Sequence, residues 1–272
     1  MNFTHLKDRS LIEISGEEAE SFLDNILTCK IIGLENGQAA FGALLTPQGK
    51  ILFDFFLIKT NKGYLFDAPI ALSADFAKRL TFYRLRAKVT IEPKPEMNVY
   101  AIWGGVPQPS SELRIDDPRL TKMGQRDYSG ITPNGEEANY TEHRIQHGIP
   151  EGGHDFGYGD AYPHETLMDQ FGGVDFKKGC YVGQEVVSRM QHRGTAKKRI
   201  IMVKSKTTLP PSDTPITADG KPAGILGSVE GENGLAIVRL DRIAKAETIL
   251  ADNIEITTKL PDWVNFKMPE NN

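Results

Sequence analysis

The stretch FGALLTPQGKILFDFFLI, residues 41–58, places two apolar runs on either side of a short polar segment. The proline and glycine in that segment supply the backbone geometry of a tight turn, so the stretch predicts a β-hairpin. Around it, short strands alternate with helices predicted over 17–27 and 73–85, the second capped by Ser73. This order of elements predicts an α+β fold, in which helices cover one face of an antiparallel-rich sheet.

The rest of the chain divides into further segments. A proline-rich break near residues 92–98 separates two subdomains within 1–197, and helices are predicted at 136–146 and 165–171. After residue 197 the chain changes to short apolar runs separated by turn signals. These strand candidates lie at 200–203, 224–229, 235–240 and 254–257. Their spacing predicts a small C-terminal β-barrel over 198–272.

Composition narrows the class of protein. The 272 residues carry a net charge of -4, so bulk electrostatics do not favour a polyanion-binding protein, and direct DNA binding is not expected. The two cysteines, Cys29 and Cys180, are too few and too far apart for a disulfide scaffold or a thiol-rich metal site. Cys29 lies among apolar residues and is predicted to be buried. We expect a cytoplasmic protein without membrane segment or metal site.

A lysine- and glycine-rich motif surrounds the second cysteine in KKGCYVGQE, residues 177–185. Lys177 and Lys178 are neighbouring cations that favour the thiolate, and thiolates are nucleophilic. The segment from there to Arg199 holds seven Lys or Arg and a single acidic residue, which favours an anionic ligand. From the residues alone, a solvated basic face around a structural cysteine is an equally good interpretation.

The motif, together with Arg189, resembles the signature of the YgfZ group of folate-binding proteins, relatives of the glycine cleavage T-protein. Other parts of the chain resemble the same family in the same order. They are Ser15-Gly16, Phe22-Leu23 and Leu27-Thr28, the hairpin over 42–52, YRLRAKV over 83–89, and Gly148-Ile149-Pro150 with Asp155. The similarity extends over residues 10–200, and it implies T-protein-like α+β layers followed by a small β-barrel.

The resemblance also implies a function. Tetrahydrofolate or a derivative would bind among the α+β layers, and the protein would support the assembly or repair of iron–sulfur enzymes, tRNA-thiolating radical enzymes among them. Its partners would be folate and iron–sulfur client or assembly proteins. The reacting group would be Cys180, with Lys178 and Arg189 beside it. The residues implied for folate contact are Asp54, Arg86, Gly179, Tyr181, Gly183, Gln184 and Glu185.

Two alternatives stay open. The first is a folate-dependent aminomethyl or one-carbon transferase. Against it, one carboxylate, Asp54, stands where the T-protein has two aspartates, and Gln146 replaces a glutamate that reaches the pterin. A neutral amide holds the guanidine-like edge of a pterin less well than a carboxylate and hardly assists proton transfer. The second alternative is a folate-sensing scaffold without catalysis. Enzymatic activity and oligomeric state are not predicted.

Overall fold

The structure is a computed structural model that describes residues 1–105, 113–130, 132–133, 135–194 and 196–269. Contacts divide the chain into two units. The first comprises Met1–Tyr140 and Phe171–Gln184, and the second comprises Thr141–Gln170 and Glu185–Asn272. The predicted class is confirmed, because antiparallel-rich sheets with helices are followed by a closed β-barrel.

The first unit holds two five-stranded sheets. In chain order its elements are β1 (Asn2–His5), β2 (Arg9–Ser15), α1 (Ala19–Ile26), β3 (Ala39–Leu45), β4 (Ile51–Thr60), β5 (Gly63–Pro69), α2 (Ile70–Arg84), β6 (Thr90–Lys94), β7 (Tyr100–Trp103), β8 (Arg114–Asp116), β9 (Gln125–Asp127) and β10 (Glu136–Glu137). The first sheet has the order β3-β4-β5-β2-β6, and the second has the order β10-β1-β7-β9-β8.

The predicted hairpin is β3–β4, with Phe41 opposite Phe56 and Ala43 opposite Asp54. Side chains alternate along a strand, so β4 directs Phe53 and Phe55 to one face and Asp54, which lies between them, to the other. On the first face, α1 and α2 bury their apolar sides, and Phe55 stacks on Phe76 of α2 at 5.4 Å between ring centroids. This layer is the core of the first unit.

The opposite face of the first sheet carries buried charge. Asp67 on β5 is fully buried, where it accepts hydrogen bonds from Arg9 at 2.6 Å, Arg126 at 2.6 Å and Tyr128 at 3.1 Å. Burial alone raises the pKa of Asp67, but the two arginines outweigh burial and hold it below its ordinary value. Arg126 comes from β9 and lies 3.9 Å from the ring centroid of Phe56, so this cluster joins the two sheets.

The second unit is built around a closed barrel with the order β11-β14-β13-β12-β15-β16. In chain order its elements are α3 (Tyr140–His147), α4 (Gln184–Arg193), β11 (Lys198–Ser205), β12 (Pro215–Ala218), β13 (Lys221–Glu230), β14 (Asn233–Arg239), α5 (Leu240–Ile243), β15 (Ile249–Ala251) and β16 (Ile254–Lys259). The first residues of α3 and α4, Tyr140 and Gln184, belong to the first unit. Small apolar side chains such as Val203, Ile216 and Ala236 fill the barrel.

Several predicted elements are corrected. Residues 165–171 form turns, because Leu167 has a φ of 67°, which a right-handed helix does not allow. The helix predicted from residue 136 begins at Tyr140, since Glu136–Glu137 pairs with β1 instead. α2 begins before Ser73, whose hydroxyl accepts a hydrogen bond from Ser10 rather than capping the helix.

The proline-rich segment near residues 92–98 begins within the first sheet. β6 extends through Pro93, which lies opposite Ile12 on β2. β6 is an edge strand, and a proline is tolerated at an edge because its missing N–H can face away from the neighbouring strand. The chain leaves the first sheet after Lys94 and enters the second at Tyr100.

No helix within the described ranges is both long and apolar enough to cross a membrane.

Candidate functional site

Cys180 is exposed on a loop, residues 173–183, that is anchored to the first sheet and to the end of α1. At the start of the loop, the Thr28 hydroxyl donates to the carbonyl of Gly173 at 2.6 Å. The amide of Asp175 donates to the carbonyl of Thr28 at 2.8 Å. The same hydroxyl accepts the amide of Ala43 on β3 at 2.9 Å. Thr28 therefore ties the loop to the hairpin.

Lys178 fastens the loop to the C-terminal end of α1. Its Nζ lies 2.9 Å from a carboxylate oxygen of Asp24 and donates to the carbonyls of Leu27 at 3.1 Å and Cys29 at 2.8 Å. The side chain is only 4% exposed. A cation at the C-terminal end of a helix complements the carbonyl groups left without intrahelical partners. The ammonium of Lys178 therefore interacts with the end of α1 and is shielded from solvent.

Gly183 closes the loop against the turn of the β3–β4 hairpin. Its φ is 81°, and a Cβ there would lie 2.5 Å from the carbonyl oxygen of Thr46. Any side chain would therefore both strain the backbone and push the loop off the turn. Gly179 differs, because a Cβ there would meet nothing within 4 Å. Of the two glycines in the motif, only Gly183 therefore has a backbone and packing reason to be glycine.

Tyr181, next to Cys180 in sequence, points inward. It is 6% exposed, and its hydroxyl has no hydrogen-bond partner among the residues that the structure describes. Burial raises the pKa of Tyr181 to about 12, and the charge of Asp175 adds to the effect. A buried phenol without a partner is costly, so this hydroxyl is a candidate for contact with a ligand.

The two cysteines occupy opposite environments. Cys29 is fully buried in the α1 core, as predicted, and burial raises its pKa to about 12 although Lys178 lowers it. Its sulfur occupies the space beside Gly42 of β3, where a Cβ would lie 2.5 Å from Sγ. Cys29 is therefore a neutral packing residue, and the exposed thiol is that of Cys180.

The end of the motif enters helix α4, which the sequence reasoning missed. Only Val187 is buried, so the apolar periodicity that predicts a helix is almost absent. Gln184 donates to the carbonyl of Gly179 at 3.3 Å, which folds the motif back on itself. One turn into the helix, Arg189 donates to Glu185 at 2.6 Å, and both side chains are exposed. Arg189 is thus paired within α4.

The two folate contacts predicted outside the motif do not lie together. Asp54 is buried on the face of β4 that points away from the helices, between Phe53 and Phe55 in sequence. Arg86 is exposed beyond the end of α2, and α2 packs on the other face of the same sheet. One ligand contacting both residues would have to pass around the sheet.

The buried cluster around Asp67 also escaped the sequence reasoning. A signal was present, because Asp67 is the one charged residue in the apolar strand GYLFDAP. A carboxylate placed in a buried strand requires cationic partners. Those partners come from β2 and β9, and the position of β9 was not predictable from local pattern.

Comparison with known proteins places the fold. Residues 197–266 match the family described as CAF17, C-terminal beta-barrel domain. The crystal structure of glycine cleavage system aminomethyltransferase T from Bartonella henselae aligns with a TM-score of 0.78, covering 97% of this chain and 86% of that chain. At 13% identity, this likeness extends to the fold alone.

Sequence relatives are more informative. The mitochondrial iron–sulfur cluster assembly factor IBA57 of Mus musculus is 31% identical over 95% of this chain and 84% of its own. The Homo sapiens protein of the same name is 30% identical over the same shares of the two chains.

These names contradict one expectation. The relatives are mitochondrial, so the prediction of a cytoplasmic protein is wrong. Cysteine usage separates oxidising from reducing compartments and cannot separate one reducing compartment from another.

Identity of this extent over nearly the full length is family-level similarity, and the α+β layers and barrel agree with it. The chain belongs to the family of IBA57 iron–sulfur cluster assembly factors.

Proposed function

We propose that this protein supports the assembly or repair of iron–sulfur enzymes, and that the thiol of Cys180 is its reacting group. One observation carries the proposal: Cys180 is exposed, while the loop on both sides of it is held by buried contacts. Packing does not explain an exposed cysteine, and a loop fixed by Thr28, Lys178 and Gly183 holds the sulfur in one place. The names of the relatives support the same direction.

The chemistry available to one thiol limits the role. A thiolate can ligate iron or attack a sulfur atom, but a cluster requires several ligands. No group of three or more metal-binding side chains occurs within the described part of the chain. The remaining ligands therefore come from a partner, an iron–sulfur client or assembly protein, or from a small thiol. Lys178 acts in this scheme by positioning the loop and not by contact with the cluster.

We further propose that the first unit binds tetrahydrofolate or a derivative, in keeping with its T-protein-like layers. The residues present fit a folate in part. Asp54 offers a buried carboxylate for the amino-pyrimidine edge of a pterin, and Tyr181 offers a buried hydroxyl. When bound, tetrahydrofolate supplies a reduced pterin able to donate electrons or carry a one-carbon unit. Gln146 does not replace the missing glutamate, because it is exposed and donates to Glu142.

The resemblance of the cysteine motif to the YgfZ group supports a finer proposal. We place tRNA-thiolating radical enzymes among the clients, which makes a tRNA methylthiotransferase a suitable reporter. Its activity depends on intact clusters and is read directly from the modified nucleoside content of tRNA.

The test uses cells that lack this protein and carry back the wild type, Cys180→Ala or Cys29→Ala at matched protein level. Methylthiotransferase activity should return with the wild type and with Cys29→Ala, whose thiol is buried and unreactive. Cys180→Ala should fail while keeping the wild-type unfolding midpoint. If Cys180→Ala restores activity, the thiol is dispensable and the folate-sensing scaffold becomes the better account. If even the wild type restores no activity, the folate-dependent one-carbon transferase becomes the hypothesis to test.

Folate binding is tested separately by calorimetric titration of the purified protein with tetrahydrofolate. Asp54→Asn keeps the shape of the side chain and removes its charge, so it should weaken binding about tenfold or more. Equal affinities for the variant and the wild type would remove Asp54 from the folate site.

A further inference from the structure

Two large apolar side chains at the end of α2 lie in solvent. Phe82 is 69% exposed and Leu85, the residue after the helix, is 84% exposed. Three residues apart, they share one side of the helix with Lys78 and Arg79. The opposite side of α2 is the core side, where Phe76 and Leu80 are fully buried. The exposure is therefore not a consequence of a poorly packed helix.

The backbone at Leu85 is strained. Its φ is 48° at the C-cap of α2, a positive value that residues with a side chain rarely adopt. Glycine usually occupies positions with a positive φ, because a Cβ is unfavourable there. A leucine at this position stabilises neither the helix end nor the core. Strain and exposure are independent observations, and both indicate that the Leu85 side chain serves a contact with another molecule.

The surroundings of this pair are basic. Between Phe76 and Ile91 the sequence contains five Lys or Arg and no acidic residue, although the whole chain has a net charge of -4. Two of the five are engaged locally, because Arg84 donates to the carbonyl of Val89 and Lys88 pairs with Glu17 at 2.9 Å. The other three are exposed in the same segment as the apolar pair. They are Lys78, Arg79 and Arg86.

We propose that this surface, the α2 face (Lys78, Arg79, Phe82, Leu85 and Arg86), docks an acidic protein that presents an apolar pocket. An apolar centre with a charged rim is the usual anatomy of a protein interface, and aromatic and arginine side chains carry much of the binding energy there. The cations meet carboxylates of the partner and set orientation and rate of encounter. That this partner is an iron–sulfur client rests on the proposed function, whereas the docking does not.

Other occupants fit the α2 face less well. Single-stranded nucleic acid is held by stacking of bases on aromatic rings, and Leu85 has no π face. An anionic bilayer attracts the cations, but a helix that binds a bilayer surface inserts its whole apolar face, and α2 turns that face to the core. An apolar pocket with an acidic rim is complementary both to Phe82 and Leu85 and to the three exposed cations.

The experiment compares Leu85→Gly and Phe82→Gln with Ile225→Gln, which removes an exposed apolar side chain from the barrel instead. The probe is a purified apo tRNA methylthiotransferase, with binding measured by interferometry at low and high salt. We expect Leu85→Gly to unfold at the wild-type temperature or above, since glycine relieves the strain. Both α2 variants should bind the probe about tenfold or more weakly, and Ile225→Gln should bind normally.

In cells, the α2 variants should lose client activity at native expression and regain it on overproduction, because mass action offsets a weakened contact. Cys180→Ala should not be rescued in this way, which separates loss of docking from loss of chemistry. Unchanged probe binding by both α2 variants overturns the proposal. So does a wild-type dimer that Leu85→Gly dissociates, or binding to vesicles of phosphatidylglycerol and phosphatidylcholine that depends on Phe82.

Discussion

Adjacent lysines in the cysteine motif should behave oppositely when mutated. Lys177 is exposed, whereas Lys178 is buried with its Nζ among one carboxylate and two carbonyls. Lys178→Met keeps most of the apolar stem and removes the charge. If both lysines served only to favour the Cys180 thiolate, the two substitutions would have similar effects. The contacts predict instead that Lys178→Met unfastens the loop and that Lys177→Met does not.

The magnitude follows from burial. Removing one partner of a buried ion pair costs about 3–5 kcal/mol when the remaining charge is fully desolvated. The Asp24 side chain is 15% exposed, so water can partly replace the lost ammonium. Two carbonyls also lose a charged donor, at about 1.5–3 kcal/mol each before water compensates. We therefore expect Lys178→Met to lower the free energy of unfolding by about 2–4 kcal/mol. Lys177→Met should change it by less than about 0.5 kcal/mol.

Urea denaturation followed by circular dichroism gives both values, and client activity in cells gives the functional counterpart. Lys178→Met should restore little activity even where the variant is fully folded, because Cys180 is no longer held in place. Lys177→Met should restore most of it. Equal stabilities for the two variants, or full activity of Lys178→Met, would refute the anchoring role.

Four further predictions concern the same unit. Gly183→Ala should destabilise the protein by about 2 kcal/mol or more, through strain and the clash with the hairpin turn, whereas Gly179→Ala should be tolerated; melting temperatures compare them. Asp67→Asn should cost about 3–5 kcal/mol in urea unfolding, since it leaves two buried arginines with too little negative charge. The pKa of Asp67 is lowered in the folded state, so between that pKa and the unfolded value of about 3.9 the unfolded chain binds more protons. Wild-type stability should therefore fall as the pH drops below about 4, and a flat acid profile would contradict the cluster. Tyr181→Phe should leave stability unchanged or raise it by up to about 1 kcal/mol, because it removes a buried hydroxyl without a partner.

Local pattern predicted what local interactions determine. The β3–β4 hairpin follows from two apolar runs around a Pro-x-Gly turn, and the burial of Cys29 follows from its apolar neighbours. Four of the six barrel strands, β11, β13, β14 and β16, were recognisable because turn signals separate them, whereas the short strands β12 and β15 were not predicted. That residues 198–272 form a domain of their own stays a prediction, and expression of that fragment would test it.

Long-range contacts were not predictable in this way. Lys178 was expected beside the thiol because the two are near in sequence, yet its ammonium lies against residues 24–29. Nothing in the motif itself indicates a partner so far along the chain. Helix α4 was missed because a single residue, Val187, is buried, and Leu167 interrupts a predicted helix through a backbone angle that its residue type rarely adopts.

The discontinuity of the first unit has a consequence for biosynthesis. The first sheet is complete in sequence at Lys94, but the loop that it anchors ends at Gly183. A ribosome adding about 5–20 residues per second needs roughly 4–18 s to bridge that interval. During this time the end of α1 and the hairpin turn stand ready without the segment that covers them. The loop that carries Cys180 thus reaches its anchors only after most of the polypeptide has been made, and a translation product interrupted before Gly183 lacks the closed loop.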